Sequence, residues 1–339
     1  MAIYKDVVVN IQKLTAALTS ENSDMCLILT TATAKAYAEY SDLTAVAADY
    51  ASGTTGYAMA SAIFSQEPKP AKVAIVGISK GEPADIDNVI DGLNTLIAAN
   101  NTFNYIVSDI TVEADIAQIA TWATANKKFY AAVLPVNSIS TAANPESDYV
   151  IYFVHDIGTQ YPDAALIGRC STFTPGSATW MFKSLNGISP VSFDDQATMI
   201  GLINEKHYMT YVKKYGANMT TGGFVTSGEY VDVMLGIQWI QREMELRIQS
   251  ILMTTPKVPY DNGGIALLAG QVETTLKDAT ANGIIRKGKG GLGEYTINIP
   301  DVSNIPANDI ANRELKAITW NAKLAGAIHH VDISGVVQY

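Results

Sequence analysis

Apolar and polar positions along the first half of the chain follow two periods in turn. Short apolar runs such as 25–31 (MCLILTT) and 71–78 (AKVAIVGI) are typical of buried strands. Between them, apolar residues over 43–50 recur at helical spacing, with Ser41 or Asp42 as the expected cap. The same alternation continues with the strands NYIVSDI, KFYAAVLPV and DYVIYFVHD and the helices PADIDNVIDGLNTLIAAN and EADIAQIATWATAN. This order predicts an α/β layer sandwich over about residues 25–190.

The second half lacks this alternation. Residues 173–193 are rich in Gly, Ser and Pro, which predicts a linker or long loop. A helix running into a strand follows, and then the clearest helix, 227–254, whose apolar stripe is Tyr230, Val233, Ile237, Ile240, Met244, Ile248 and Ile251. A helix that stops at Gly283, a hairpin over 284–300, a short helix within 305–314 and an extended tail complete an α+β half.

Both ends of the chain have the pattern of β-strands, although chain ends are usually polar and frayed. The apolar positions of the two terminal runs are Val7, Val8, Val9 and Ile11 at one end and Ile328, Val331, Ile333, Val336 and Val337 at the other. A terminal strand with unpaired backbone groups is an aggregation liability unless another chain covers it.

Charge narrows the possible partners. The net charge is −10, and residues 1–170 hold 9 Lys/Arg against 18 Asp/Glu, whereas residues 171–339 hold 14 against 15. An acidic chain with no basic cluster is a poor nucleic-acid binder, because phosphate contacts need Lys and Arg. No apolar run approaches the roughly 20 residues of a membrane span, and the amino terminus lacks a signal-peptide pattern, so we expect synthesis in the cytoplasm. Cys26 and Cys170 have no metal-binding spacing and are expected to be buried thiols.

Two motifs have the letters of an enzyme site. GISKG (77–81) matches G-x-S-x-G after a strand, but a nucleophile elbow turns directly from Ser79 into its helix, whereas here Pro83 is the expected first helical residue. GKGGLG (288–293) matches G-x-G-x-x-G, but an alternating strand follows it where a dinucleotide site needs a helix, so we expect a hairpin turn. The chain has no Walker A sequence, and His155 and His207 show no triad spacing.

The sequence support for a metal site or an acid–base site is equally weak. His329 and His330 are adjacent, so on a strand they point to opposite faces, and Asp332 would join only His330. Glu229 and Asp232 share a helix face in what is expected to be the first helical turn, where the helix dipole favours negative charge. We therefore predict no catalytic residue, no metal and no cofactor.

Five segments together resemble the contractile phage tail sheath family. They are SDLTAVAADYASGTTGYAMASAIFSQEPKPAKVAIV near the start, PGSATWMFKSLNGISP (175–190), GEYVDVMLGIQWIQREMELRIQSIL, KVPYDNGGIALL and LAGAIHHVDISGVV near the end. They occur in the family's order and are spread over nearly the whole chain.

The resemblance implies a structural subunit that polymerises as stacked hexameric rings around an inner tube. Contraction would drive that tube through a cell envelope in a phage or a phage-tail-like bacteriocin. The implied fold is an outer α/β domain (21–190) and an inner α+β domain (191–325), with mixed sheets and terminal strand arms (1–20 and 326–339) exchanged between subunits. The implied partners are further copies of the chain, the tube protein, and baseplate and tail terminator proteins, without nucleic acid or membrane insertion. A short helix over 305–314 would touch the tube, with Arg313 and Lys316 as contacts.

Two other readings remain open at this point. One is a cytoplasmic α/β hydrolase-like enzyme that uses Ser79 as its nucleophile. The other is a different self-assembling phage protein, such as a tail tube or capsid-associated protein, although the long helix at 227–254 argues against a tube protein.

Overall fold

The computed structural model describes residues 25–32, 34–331 and 335. The strands are β1 Cys26–Thr30, β2 Lys35–Tyr40, β3 Val73–Gly77, β4 Tyr105–Ser108, β5 Phe129–Leu134, β6 Val150–Val154, β7 Met209–Lys214, β8 Ala217–Thr221, β9 Tyr295–Asn298 and β10 Thr319–Ala322. The α-helices are α1 Leu43–Asp49, α2 Thr55–Phe64, α3 Ile86–Ala99, α4 Glu113–Ala125, α5 Pro162–Cys170, α6 Gln196–Glu205, α7 Val231–Thr254, α8 Asn262–Ala281 and α9 Ala307–Ala311. Short 3₁₀ turns lie at Val136–Ser138, Gly158–Gln160 and Val302–Asn304.

The chain forms two compact units. Of the described residues, 25–174 and 182–234 belong to the first unit, and 175–181 and 235–331 belong to the second. The division falls inside α7, and residues 191–234 lie in the first unit rather than beyond the boundary that the sequence predicted at 190. The physical reason is strand pairing, because β7 adds to the large sheet beside β6.

The first unit is built on an eight-stranded sheet in the order β2-β3-β1-β4-β5-β6-β7-β8. The six inner strands are parallel, and the two edge strands, β2 and β8, are antiparallel to their neighbours. Strands β1, β3, β4 and β6 are buried along their whole length. A sheet covered on both faces requires such continuous apolar strands, which is why the short runs were readable as strands in the sequence.

Helices α3, α4 and α6 supply side chains to the core on one face of this sheet. Every third or fourth residue of α3 enters that core, namely Ile86, Val89, Leu93 and Leu96. Helices α2 and α5 pack together, and Gly168 of α5 lies so close to Ile63 that a Cβ there would be 2.7 Å from the Ile63 Cα. Both cysteines are buried thiols, as predicted.

Two local predictions in this unit differ from the structure. The sequence analysis did not identify β2, whose six residues alternate small, aromatic and charged side chains at a partly exposed sheet edge. Helix α3 begins at Ile86 with Asp85 as its N-cap, whereas Pro83 was expected to open it. The Asp85 carboxylate accepts a hydrogen bond from the Asp87 amide at 3.0 Å, and the helix begins three residues later than it would at Pro83.

The second unit contains most of α7, together with α8, α9 and a two-stranded antiparallel sheet of β9 and β10. Its core is small: Ile240, Met244, Val272, Leu276, Ala279, Ile284 and Ile285 are buried together. Ile240 and Met244 belong to the predicted stripe of α7, and Gly283 follows α8 with a φ of +84°, as its expected role as a stop requires. The predicted hairpin over 284–300 is only partly right, because the partner of β9 is β10.

Candidate assembly surface of the second unit

The small sheet shows one face to the core and the other to solvent. Tyr295 and Ile297 of β9 pair with Ala322 and Trp320 of β10, and all four pack against the core of the second unit. The alternate residues Thr296, Asn298, Thr319 and Asn321 are exposed. In the part of the chain that the structure describes, no further strand joins the outer edge of β9 or β10. A two-stranded sheet is marginally stable alone and gains when strands are added to its edges.

The segment after β10 makes backbone hydrogen bonds with residues 284–286 over three more residues. The Arg286 amide donates to the Lys323 carbonyl at 2.8 Å, and the Ala325 amide donates to the Ile284 carbonyl at 2.8 Å. Residues 325–331 are not in a strand, so the strand predicted from 326 onward is not formed there in the isolated chain. The physical reason is that a strand needs a partner edge, and no described strand lies beside this segment.

Two arm residues that the sequence singled out are described, and both are exposed. Ile328 is 80% exposed and Val331 is 65% exposed. The other predicted arm residues, Val7, Val8, Val9, Ile11, Ile333, Val336 and Val337, lie outside the described residues. Exposed β-branched residues outside any described strand form a surface that a neighbouring chain can cover.

His329 is held within the second unit rather than placed in a metal site. Its Nε2 lies 2.8 Å from the Thr179 hydroxyl, with which it shares a hydrogen bond. Among the described residues no group of three or more His, Cys, Asp or Glu side chains could hold a metal ion. Asp332, the third residue of the weighed cluster, lies outside them.

The predicted tube contacts lie just after α9. Lys316 forms ion pairs with Glu314 at 2.5 Å and Asp309 at 3.5 Å, and these carboxylates raise the pKa of its amine. Arg313 has a positive φ of 59°, is exposed and forms no ion pair with any described residue. The Tyr260 hydroxyl donates to the Glu314 carbonyl at 2.7 Å, which fixes the end of this loop. Of the two predicted contacts, only Arg313 therefore presents a charge that is not already neutralised.

The two enzyme-like motifs are structural turns. The Ser79 hydroxyl accepts a hydrogen bond from the Gly81 amide at 3.1 Å and sits in the loop before α3. The His155 Nδ1 accepts a hydrogen bond from the Ile157 amide, and its Nε2 shares a hydrogen bond with the Ser189 carbonyl. In GKGGLG, the Gly288 amide donates to the Leu292 carbonyl at 2.7 Å, and β9 follows as expected for a hairpin-like turn.

Glu229 and Asp232 do not lie in the same helical turn. Helix α7 begins at Val231, so Asp232 lies in its first turn and Glu229 precedes the helix. The Glu229 carbonyl accepts from the Val225 amide at 2.9 Å in the turn before it. The expectation that both carboxylates lie in the first helical turn is therefore wrong for Glu229.

The carboxyl ends of β1 and β4, where doubly wound sheets commonly bind ligands, are filled by the protein's own side chains. The Asp109 carboxylate accepts hydrogen bonds from the Thr30 and Thr55 hydroxyls, each at 2.8 Å, and from the Thr31 amide at 2.9 Å. The sequence analysis did not identify this cluster, because its residues are separated by up to 79 positions and form no motif.

Comparisons with known proteins agree with this geometry. Residues 231–337 match the family described as E217 tail sheath protein gp31-like, C-terminal domain. The C-terminal part of this chain is similar to a tail sheath domain. The resemblance to the contractile tail sheath family that the sequence motifs indicated is thereby confirmed.

Solved structures show that the fold of this chain is similar, over nearly its whole length, to chains of contractile systems. A chain of the anti-feeding prophage (AFP) baseplate matches with a TM-score of 0.74 and 12% identity, covering 99% of this chain and 100% of that one. A chain of the AFP helical sheath in its contracted state matches with a TM-score of 0.72 and 12% identity, covering 98% and 99%. A chain of the PVC extracellular contractile injection system, from its sheath complex in the contracted state, matches with a TM-score of 0.70 and 9% identity. The match covers 99% of this chain and 98% of that one.

Two further findings concern sequence relatives and membrane-spanning helices. No curated protein matches the chain by sequence. None of the helices within residues 25–32 and 34–331 is both long and apolar enough to span a membrane.

Proposed function

We propose that this chain is the structural subunit of a contractile tail sheath, with a mechanical rather than a catalytic role. The observation that carries the proposal is the sheath-domain match over 231–337, joined to a fold shared over nearly the whole chain with a contracted helical sheath. In this role the subunits polymerise as stacked hexameric rings around an inner tube, and contraction drives the tube through a cell envelope. The particle is a phage tail or a phage-tail-like bacteriocin, assembled from subunits made in a bacterial cytoplasm.

The two termini act as strand arms in this proposal. Ile328 and Val331 are exposed and unpaired with any described strand, and the small sheet has edges that accept added strands. An extended segment that joins a sheet edge gains main-chain hydrogen bonds, and its alternate side chains enter pockets. A contact of this kind that does not close on itself builds a helical assembly. The arms 1–20 and 326–339 thus connect neighbouring subunits.

Residues 191–325 are proposed to face the tube and residues 21–190 to face outward. The acidic composition of residues 1–170 suits a solvent-facing surface. Arg313 is the stronger candidate for a tube contact, because Lys316 is already paired with Glu314 and Asp309. Baseplate and tail terminator proteins complete the expected set of partners.

Electron microscopy of the purified full-length protein at high concentration tests this function. We expect long, striated hollow cylinders with six-fold symmetry, either from the protein alone or after mixing with its tube protein. Small, uniform particles under both conditions would contradict the proposal. Labelling of Ser79 by a serine-reactive phosphonate, lost in the variant Ser79→Ala, would instead support the enzyme reading.

A further inference from the structure

The glycine motif at 286–293 (RKGKGGLG), here called the glycine turn, forms a defined projection of the second unit. Its tip is closed by two backbone hydrogen bonds, from the Gly288 amide to the Leu292 carbonyl at 2.7 Å and from the Gly291 amide to the Gly288 carbonyl at 3.1 Å. Gly290 and Gly291 have φ values of +86° and +79°, which side chains with a Cβ rarely adopt. Glycine at these two positions therefore allows a backbone conformation that other residues would strain.

The base of the glycine turn is fixed to the rest of the second unit. A Cβ at Gly293 would lie 2.2 Å from the Thr280 hydroxyl, so this glycine allows the turn to pack directly on α8. The Arg286 guanidinium pairs with Glu294, and the Glu294 amide donates to the Arg286 carbonyl at 2.9 Å. Arg286 also holds the pKa of the Glu294 carboxyl below its usual range. A rigid base means that a partner does not have to order the turn when it binds.

The tip carries two uncompensated charges followed by an exposed apolar residue. Leu292 is 76% exposed. Lys287 and Lys289 are exposed and form no ion pair with any described residue, whereas Arg286 is neutralised by Glu294. An exposed leucine close in sequence to two exposed lysines offers both apolar area and charge to a partner.

The protein's own charge distribution indicates the partner. Residues 1–170 carry twice as many acidic as basic side chains, 18 against 9. Their densest exposed acidic stretch is 82–91, where Glu82, Asp85, Asp87 and Asp91 form no ion pair with described residues. Opposite charges on two surfaces steer association and fix its register.

We propose that the glycine turn docks on the acidic stretch 82–91 of a second copy of this chain, with Lys287 and Lys289 facing carboxylates and Leu292 covered by the contact. This inference rests on the proposed function only in requiring that copies lie side by side. Two lysines and one leucine are too few for stable binding to an anionic membrane, which takes a larger apolar face or several basic residues. A second copy supplies both the acidic surface and the high local concentration.

Zero-length cross-linking tests this contact directly. A carbodiimide joins a lysine amine to a carboxylate as an amide, and the carbodiimide takes up the water that is lost and becomes a urea. In concentrated protein mixed from ¹⁴N- and ¹⁵N-labelled copies, we expect mixed-isotope peptides that link Lys287 or Lys289 to residues 82–91. The inference would be overturned if these two lysines were linked only within one chain, or only to other regions or proteins. It would also be overturned if they formed no links while other lysines react.

Charge reversal provides a second test with a matched control. The variant Lys287→Glu/Lys289→Glu should raise the protein concentration needed for assembly about tenfold at low salt, equivalent to about 1.4 kcal/mol. Adding Asp87→Lys/Asp91→Lys should restore most of that loss. The control Lys213→Glu/Lys257→Glu makes the same change in net charge at two other exposed lysines and should have less effect.

The outcomes separate this inference from the proposed function. Wild-type cylinders together with equal effects of the two charge variants would overturn the docking contact and leave the sheath function standing. A wild-type protein that never assembles counts against the sheath function, and the isotope-mixed cross-links then still decide whether the contact forms.

Discussion

The two units of this protein differ in how completely each buries its own apolar surface. The first unit has a sheet of eight strands whose inner members are covered on both faces, with many aromatic residues fully buried. Among its described residues, the second unit has a two-stranded sheet and one cluster of seven buried apolar residues. Of the large apolar side chains that are exposed among the described residues, most lie in the second unit: Leu246, Leu252, Met253, Leu267, Leu292, Ile299, Leu324, Ile328 and Val331.

This difference separates the roles of folding and assembly within one chain. A unit that covers its own strands needs no partner to be stable, because its apolar area is already removed from water. A unit with a small core and exposed apolar residues gains stability when neighbouring chains cover that surface. We therefore expect changes in the first unit to alter the free energy of unfolding, and changes in the second unit's surface to alter assembly.

Removal of the C-terminal arm should have the largest effect. Deletion of residues 326–339 removes Ile328, Val331 and the remaining arm residues, so we expect loss of cylinders in electron microscopy with little change in the melting temperature of the subunit. The full-length variant Ile328→Ser/Val331→Ser should weaken assembly in the same direction and change the free energy of unfolding by less than about 0.5 kcal/mol, as for other surface changes. Normal cylinders from the deletion variant would show that strand exchange is not needed.

The first unit should respond to pH through a buried carboxyl. Asp163 is 1% exposed, and its Oδ1 has no hydrogen-bond partner among the described residues. Burial raises the pKa of this carboxyl to about 7 in the folded protein, above its unfolded value of 3.8. The folded state therefore binds more protons than the unfolded state between these values, and this group's contribution to stability falls as pH rises from about 4 to 7.

Replacement of that carboxyl tests the direction of this effect. Asp163→Asn keeps an oxygen that can accept from the Ala164 amide and carries no charge. We expect it to be more stable than the wild type by about 1–4 kcal/mol at pH 8, with the advantage shrinking towards pH 4. Urea unfolding across this pH range measures it, and an advantage that is the same at every pH would disprove the titration argument.

Two helical glycines give the smallest and most local test. Gly168→Ala places a Cβ 2.7 Å from the Ile63 backbone, so the α2–α5 contact must open and stability should fall by about 1–3 kcal/mol. Gly201→Ala in α6 meets nothing within 4 Å and should be neutral or stabilising by about 0.4–1 kcal/mol. Thermal unfolding of both variants compares them, and equal shifts would mean that the close approach at Gly168 does not matter.

The sequence predicted the features of the fold that depend on short-range residue patterns. The buried strands, the α3 face and the Gly283 stop were readable because the side-chain period reports the element and its covered side. The edge strand β2 was missed because its mixed pattern carries no such signal. The place of β7 in the large sheet, the pairing of β9 with β10 across 20 intervening residues and the Asp109–threonine cluster depend on contacts between distant segments. The tail sheath assignment was predictable because it rested on five ordered motifs and not on any one contact.

The edges of the large sheet have a consequence for solubility. Strand β2 ends one side with the charged residues Lys35 and Glu39, and β8 is covered on the other side where the Phe182 amide donates to the Thr220 carbonyl at 3.0 Å. Blocked edges keep sheets from sticking to one another when subunits are crowded. Among the described strands, we therefore expect strand addition at the small sheet rather than at the large one.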